Sequence, residues 1–311
     1  MPANVLTLLE QQAAAMTNIT LEFSAELENT HTMIGYEHFE AGRFYQHLEE
    51  RRDSRKIIRE KAFDGNVFYM GQKNPAGFNV QATLFKVSRH DLQYTQRDDP
   101  IISFGMVGAA GYYMPETIAD LEWTPLIEPW VLHYLRQGIP AKIEQTTAGL
   151  RVTFEVVDRL LARSHRLHAG GPQEDLNRRE RQRPTETDEK TLSVAEKQRR
   201  MKATRTVSFL LDPARGYAVS ECEAWTADGR QIAHLRAQKW HYFDSVAIWF
   251  PMEFEGTGFV DSTLTEFFEK PDTKTFGIDR VAFGDPADVH YELDYHEPGT
   301  VIKDRTSAAG R

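Results

Sequence analysis

The chain has 311 residues, a net charge of −9, and 41% hydrophobic and 11% aromatic residues. Such a composition can bury a core and excludes wholesale disorder, and the acidic balance offers nucleic acid no basic field, so no nucleic-acid partner is expected. The one cysteine, Cys222, permits neither an internal disulfide nor a cysteine-based zinc site. No apolar run approaches the roughly 18–20 residues of a membrane-spanning helix, so no transmembrane segment is expected.

In chain order, residues 3–17 predict a helix, because Val5, Leu6, Leu8, Leu9, Ala13 and Met16 make an apolar stripe with Glu10, Gln11 and Gln12 elsewhere. The opening MPANVLTLLEQQ lacks a basic stretch followed by an apolar core and does not read as a signal peptide. After Asn18 the pattern changes period. Ile19, Leu21, Phe23, Ala25 and Leu27 alternate with Thr20, Glu22, Ser24, Glu26 and Glu28, which predicts a half-buried antiparallel strand. Further strands are expected at 32–40, 42–51, 55–63, 66–71 and 78–89, with an Asp64-Gly65 hairpin between the third and fourth of these. Residues 90–125 are irregular apart from a short helix expected at 116–121. A second helix is predicted at 129–137, opened by Pro129, carried by Trp130, Val131 and Leu135, and stopped by Gly138. Strand returns over 141–157 around a turn at Ala148-Gly149.

Residues 158–204 differ from their surroundings, with twelve Lys and Arg against eight Asp and Glu and few large apolar residues after Leu167. They predict an exposed, charged, flexible insertion within a single domain spanning 1–311, because a segment with so little to bury does not build a core. The flanks, 152–157 and 205–211, are expected to be adjacent strands of one sheet, so the insertion is a hairpin loop grown long.

Residues 205–251 predict three or four antiparallel strands joined by tight turns, the clearest at Ala227-Asp228-Gly229-Arg230, where Asp-Gly accepts the positive φ of a type I′ turn. Val219, Glu221, Glu223 and Trp225 share one face, and Ser220, Cys222 and Ala224 the other. The result is a curved sheet with one dry face. Beyond Pro251 the sequence predicts a loop, a short helix at 262–269, a turn at 270–272, short strands at 276–278 and 290–294, a turn at 297–300 and a frayed end at 307–311.

The opening LTLLEQQAAAMTNITLEFSAEL, the pair RKIIREKAFDGNVFYMG and the stretch LDPARGYAVSECEAWTADGRQIAHLRAQKWHYFDSVAIWFP resemble the bacterial lipoprotein-localisation family. That is the LolA-like fold of periplasmic lipoprotein carriers, related mycobacterial lipoproteins and sensor domains of sigma-factor regulators. The ending Glu297-Pro298-Gly299-Thr300-Val301-Ile302-Lys303-Asp304 is similar to that of long envelope proteins of the planctomycete type. The resemblance implies an α+β fold, a strongly curved antiparallel β-sheet forming a half-barrel, with helices covering its concave face. It implies a non-enzymatic protein of the periplasm or cell envelope that binds a lipid or the acyl chain of a lipoprotein. The apolar cavity would be lined by Phe23, Phe44, Phe68, Met70, Leu84, Trp130, Phe209, Leu211, Trp225, Trp240 and Trp249, although for each residue taken singly ordinary core filling is the favoured reading. The alternative is an interaction or sensor module of the same fold that meets an envelope protein partner without carrying lipid.

Chemistry is not written in the residues. His165 and His168 stand three apart near Glu174 but have no third ligand at fixed spacing, so no metal is expected. Ser245 with His241 and Asp244 lacks the glycines of a nucleophile elbow. Gly105, Gly108 and Gly111 follow no strand-turn-helix context and make no phosphate loop. No catalytic residue and no cofactor are expected.

Overall fold

The structure, a computed structural model, describes residues 1–26, 31–40, 42–52, 55–74, 81–88, 112–113, 127–157, 204–227, 229, 231–257, 273–284, 289–296 and 300–305. The expected helices at 116–121 and 262–269, all but the last residue of the charged insertion, the turn at 270–272, the turn at 297–300 apart from Thr300, the end at 307–311 and most of 90–125 lie outside these residues.

The described chain opens with helix α1 (Ala3–Ala15) and enters β1 (Asn18–Glu26), β2 (His31–Glu40), β3 (Arg43–Arg52), β4 (Arg55–Phe63), β5 (Val67–Asn74) and β6 (Gln81–Ser88). The short strands β7 (Tyr112–Tyr113) and β8 (Glu128–Pro129) pair with each other and lead into helix α2 (Trp130–Arg136). Then come β9 (Ala141–Gln145), β10 (Leu150–Val157), β11 (Thr204–Asp212), β12 (Ala218–Thr226), β13 (Gln231–Phe243), β14 (Ile248–Thr257), β15 (Thr273–Phe283) and β16 (Val301–Arg305). Among the described residues, fourteen of these strands make one curved sheet in the order β16-β6-β5-β4-β3-β2-β1-β15-β14-β13-β12-β11-β10-β9. Its two ends, β16 and β9, do not pair, so the sheet stays open. Every ladder in it is antiparallel except that between β16 and β6. As expected, β10 and β11 pair directly, from Leu150 opposite Leu211 to Val157 opposite Thr204.

One face of this sheet is predominantly apolar, because the alternating residues of neighbouring strands fall in register. Glu37 and Gln46 are buried on it as a pair in which the Gln46 amide donates to the Glu37 carboxylate at 2.9 Å. Over β1–β5 and β13–β15 the buried residues include Ile19, Leu21, Phe39, Phe63, Phe250 and Phe254. Over β10–β12 they include Leu150, Val152 and Phe154, and here α1 and α2 lie against the sheet through Val5, Leu9, Ala13, Val131 and Leu132. The two clusters meet where Cys222 of β12 stands opposite Leu235 of β13. Helix α1 carries its apolar residues at 5, 9 and 13, one per turn, on the side that meets the sheet. Gln12, placed by sequence away from the stripe, is nevertheless buried, and its amide donates a 2.7 Å hydrogen bond to the Gly216 carbonyl. Helix α2 is tied at its start by buried Glu128, whose carboxylate accepts from His133 at 3.1 Å and pairs with Arg136.

Several local expectations change. Pro251 does not end its strand, which runs on to Thr257. It stands opposite Trp240 beside a register shift, and a bulge is where a residue without an N–H is tolerated inside a sheet. Val219 lies on the apolar face and not with Glu221, because a register shift between Leu210 and Leu211 leaves an extra residue in β12. At the Asp64 turn, Gly65 takes the first central position with φ 102°, and the Asp64 carboxylate accepts from the backbone of Asn66 and Val67, both at 2.7 Å. The strand expected at 276–278 is the middle of the longer β15. Residues 289–296, expected to include a strand, are assigned to none. Their alternation of buried or half-buried Tyr291, Leu293 and Tyr295 with exposed His290, Glu292, Asp294 and His296 serves a strap laid on the face opposite the apolar one.

Candidate functional site

The apolar face carries a belt of aromatic and aliphatic side chains crossing the strands. Cross-strand register sets Phe68 opposite Phe63, Phe63 opposite Phe44, Phe44 opposite Phe39, Phe39 opposite Ile19 and Ile19 opposite Phe283. The Phe44 ring lies 5.9 Å from that of Phe68 and 6.3 Å from that of Phe63. Phe283 continues the belt through Phe243 at 5.1 Å and Phe250 at 6.4 Å. From β5 to β13 the belt crosses seven inter-strand steps, roughly 34 Å at ~4.8 Å each. In the helix-covered cluster Tyr134, Phe154 and Phe209 stack in a tilted group with centroids 5.1–6.2 Å apart.

The eleven residues expected to line a cavity divide by position. Phe23, Phe44 and Phe68 are buried in the belt cluster, and Met70 packs against it. Phe209 and Leu211 are buried under the helices, with Trp130 of α2 half-buried beside them. Leu84 is fully buried on the other face, in a small cluster with Ala62, Tyr69, Ala82, Leu293 and Tyr295. The remaining three also share that other face. Trp225 stands opposite Thr206, in the row of Glu221 and Glu223. Trp240 stands opposite Pro251, and the Arg215 guanidinium lies 5.0 Å from its ring centroid. Trp249 stands opposite Tyr242, their rings 5.3 Å apart. Six of the eleven are thus brought together on the apolar face, Trp130 joins them from a helix, and four are held apart from them by the sheet itself.

Glycine positions show how tightly the apolar face is filled. A Cβ on Gly35 would come within 2.0 Å of the Phe23 ring, which lies across the Gly35 backbone. On Gly149 it would lie 2.2 Å from the Leu211 carbonyl oxygen.

The face opposite the belt holds polar groupings that periodicity alone did not single out. Glu60 accepts from Tyr45 at 2.8 Å, from Tyr295 of the strap at 2.7 Å, and lies 3.3 Å from His47. Burial works against its charge, but hydrogen bonds from His47, Tyr295 and Tyr45 outweigh burial and hold the carboxyl down at about 2. Burial and the Glu60 carboxylate push the Tyr45 phenol well above its ordinary value. At the other end of the strap the Tyr291 hydroxyl is 2.7 Å from His38 and 2.8 Å from Glu40, with Arg43 over its ring at 4.6 Å. The signal in the sequence was the tyrosine-leucine-tyrosine alternation at 291, 293 and 295.

Among the described residues, Glu221, Glu223 and His234 place one ligand atom each within 4.8 Å of one another. Glu223 is already paired with Arg151 at 2.6 Å and His234 with Glu221 at 3.1 Å. Ser245, His241 and Asp244 are all exposed, and the His241 ring packs against Phe243 at 4.6 Å. Burial pushes the Cys222 thiol up to about 12, far from nucleophilic character.

No protein-family model matches the sequence, and no curated protein does. Among solved structures, the chain is similar to a domain described in terms of outer membrane lipoprotein sorting, from Vibrio parahaemolyticus, at 11% identity, over 91% of this chain and 93% of that one, with a TM-score of 0.42. It is similar to a DUF1329 family protein from Desulfovibrio piger at 10% identity, over 90% and 92% of the two chains, with a TM-score of 0.40. A LolA superfamily protein from Nitrosomonas europaea is similar at 8% identity, over 91% and 94% of the two chains, with a TM-score of 0.33.

Proposed function

We propose that this chain is a non-enzymatic protein of the periplasm or cell envelope that binds a lipid, or the acyl chain of a lipoprotein, against the apolar face of its sheet. The observation that carries the reading is the aromatic belt: a continuous row of apolar side chains on an open sheet, running from Phe68 to Phe243, with the apolar face going on through the Cys222–Leu235 pair to a region that meets two helices. The hydrocarbon core of a bilayer is about 30 Å thick, so a single acyl chain needs about half of that length, and the belt exceeds it. Affinity would come from apolar burial, on the order of 0.8 kcal/mol per CH₂. Because the belt is close-packed, binding requires side chains or covering helices to move, and α1 and α2 are described elements seated over the face. No described helix is long and apolar enough to cross a membrane.

The reading is tested by titrating the protein with fatty acids of increasing chain length in competition with a fluorescent acyl probe. Each added methylene is expected to tighten binding by about fourfold until the belt is filled. Affinity that does not depend on chain length, or a probe that never saturates, would remove the proposal.

A further inference from the structure

Between the strap and the sheet, on the side away from the belt, lies a cleft of about 330 Å³. Its sheet wall is Tyr36, Tyr45, Glu60 and Lys73, and its strap wall is formed by Glu292, Asp294 and Tyr295 with their neighbours. We propose that this cleft is a binding site for a small organic cation, an alkylammonium group held against tyrosine rings and among carboxylates.

Three features point the same way. The first is aromatic surface, since the Tyr36 and Tyr45 rings stand 5.9 Å apart and tilted by 55°, and a cation is attracted to a phenol ring face within about 6 Å. The second is charge. Glu60, Glu292 and Asp294 line the cleft, with Asp294 also 3.2 Å from His296, against the ammonium of Lys73 and the imidazole of His290, and the phenols of Tyr36, Tyr45 and Tyr295 complete its titratable groups. Hydrogen bonds to Glu60 from phenols stabilise its carboxylate without cancelling its charge, while His47, 3.3 Å from it, and Lys73 in the same wall are described groups that can offset it. The third is a precedent within the cleft itself. The Lys73 ammonium lies 4.0 Å from the centroid of the Tyr295 ring, so one aromatic face here already holds a cation supplied by the chain. At about 330 Å³ the space is near the lower limit of small-molecule sites, which suits a group of choline's size and is far too small for an acyl chain.

The test is calorimetric titration of the full chain with choline and with dimethylbutanol, its uncharged counterpart of the same shape. Choline is expected to bind saturably and the alcohol at least about tenfold more weakly, because only the charged ligand gains from the rings and carboxylates. The double variant Glu292→Gln/Asp294→Asn changes two exposed side chains and is expected to weaken choline binding by several-fold. Tyr36→Leu, which removes one ring face, should weaken it by about fivefold or more. Equal binding of choline and the alcohol, no saturable choline binding, or wild-type affinity in the folded double variant would each overturn the proposal.

Discussion

One glycine and one carboxylate show how single residues set the limits of this molecule. At Gly35 the Phe23 ring occupies the space of a side chain, and moving it would disturb the belt beside Leu21 and Leu48. Gly35→Ala is therefore expected to destabilise the protein by about 1–3 kcal/mol, read as a lower urea midpoint. An unchanged midpoint would mean that the Phe23 ring is not packed across the Gly35 backbone. Glu60 makes a prediction in pH. Its carboxyl sits at about 2 in the folded chain against an ordinary 4.5, so the unfolded chain binds the proton more readily. The ionised group therefore contributes stability that is complete above about 4.5 and is lost as the pH falls toward about 2. Glu60→Gln removes that contribution. Wild type and variant are expected to differ in melting temperature at neutral pH and to converge across that window, whereas parallel curves down to pH 2 would contradict the assignment.

At the scale of elements, the strap is the least conventional piece. It is held by side chains and not by a ladder, through Tyr291 on His38 and Glu40, Tyr295 on Glu60, and buried Leu293. Replacing both tyrosines with phenylalanine keeps the rings but leaves three part-buried polar groups without the phenols, a loss of about 1–3 kcal/mol each. Amide exchange over 289–296 is expected to accelerate in that variant while β1–β3 stay protected; equal protection throughout would show that the phenols do not hold the strap. The sequence made β1–β5, β10–β12 and both described helices legible, because period two and period 3.6 are direct consequences of which side faces the core. It did not make the bulges legible. An extra residue near Ser220 turns Val219 inward, and a shift at Trp240 accommodates Pro251, and both depend on the partner strand. For the same reason size and aromaticity alone could not tell that Trp225, Trp240 and Trp249 share the face opposite Phe44 and Phe209. Alternation groups Trp225 with Glu221 and Glu223, and it is the expectation of a cavity that joins it to the phenylalanines.

Among the described residues the molecule is an open sheet whose apolar face meets two helices at one end and carries the buried aromatic belt over the rest. The helix end can be probed apart from the belt. Leu9, fully buried where α1 meets the sheet, should cost about 2–5 kcal/mol when changed to alanine, and chemical denaturation will read it. A cost below about 1 kcal/mol would mean that α1 is a loosely held cover. The strands of the sheet are contributed from both sides of the chain, with β1 joining β2 on one flank and β15 on the other. Distant sequence segments must therefore meet before the belt is complete. The central claim, that this belt receives an acyl chain, is tested most directly by native mass spectrometry of protein purified without detergent from bacteria. The account predicts a resolved population heavier than the bare chain by the mass of a lipid, released on activation as an ion bearing an acyl chain. A single population at the mass of the bare chain, unchanged after incubation with lipid vesicles, would contradict it.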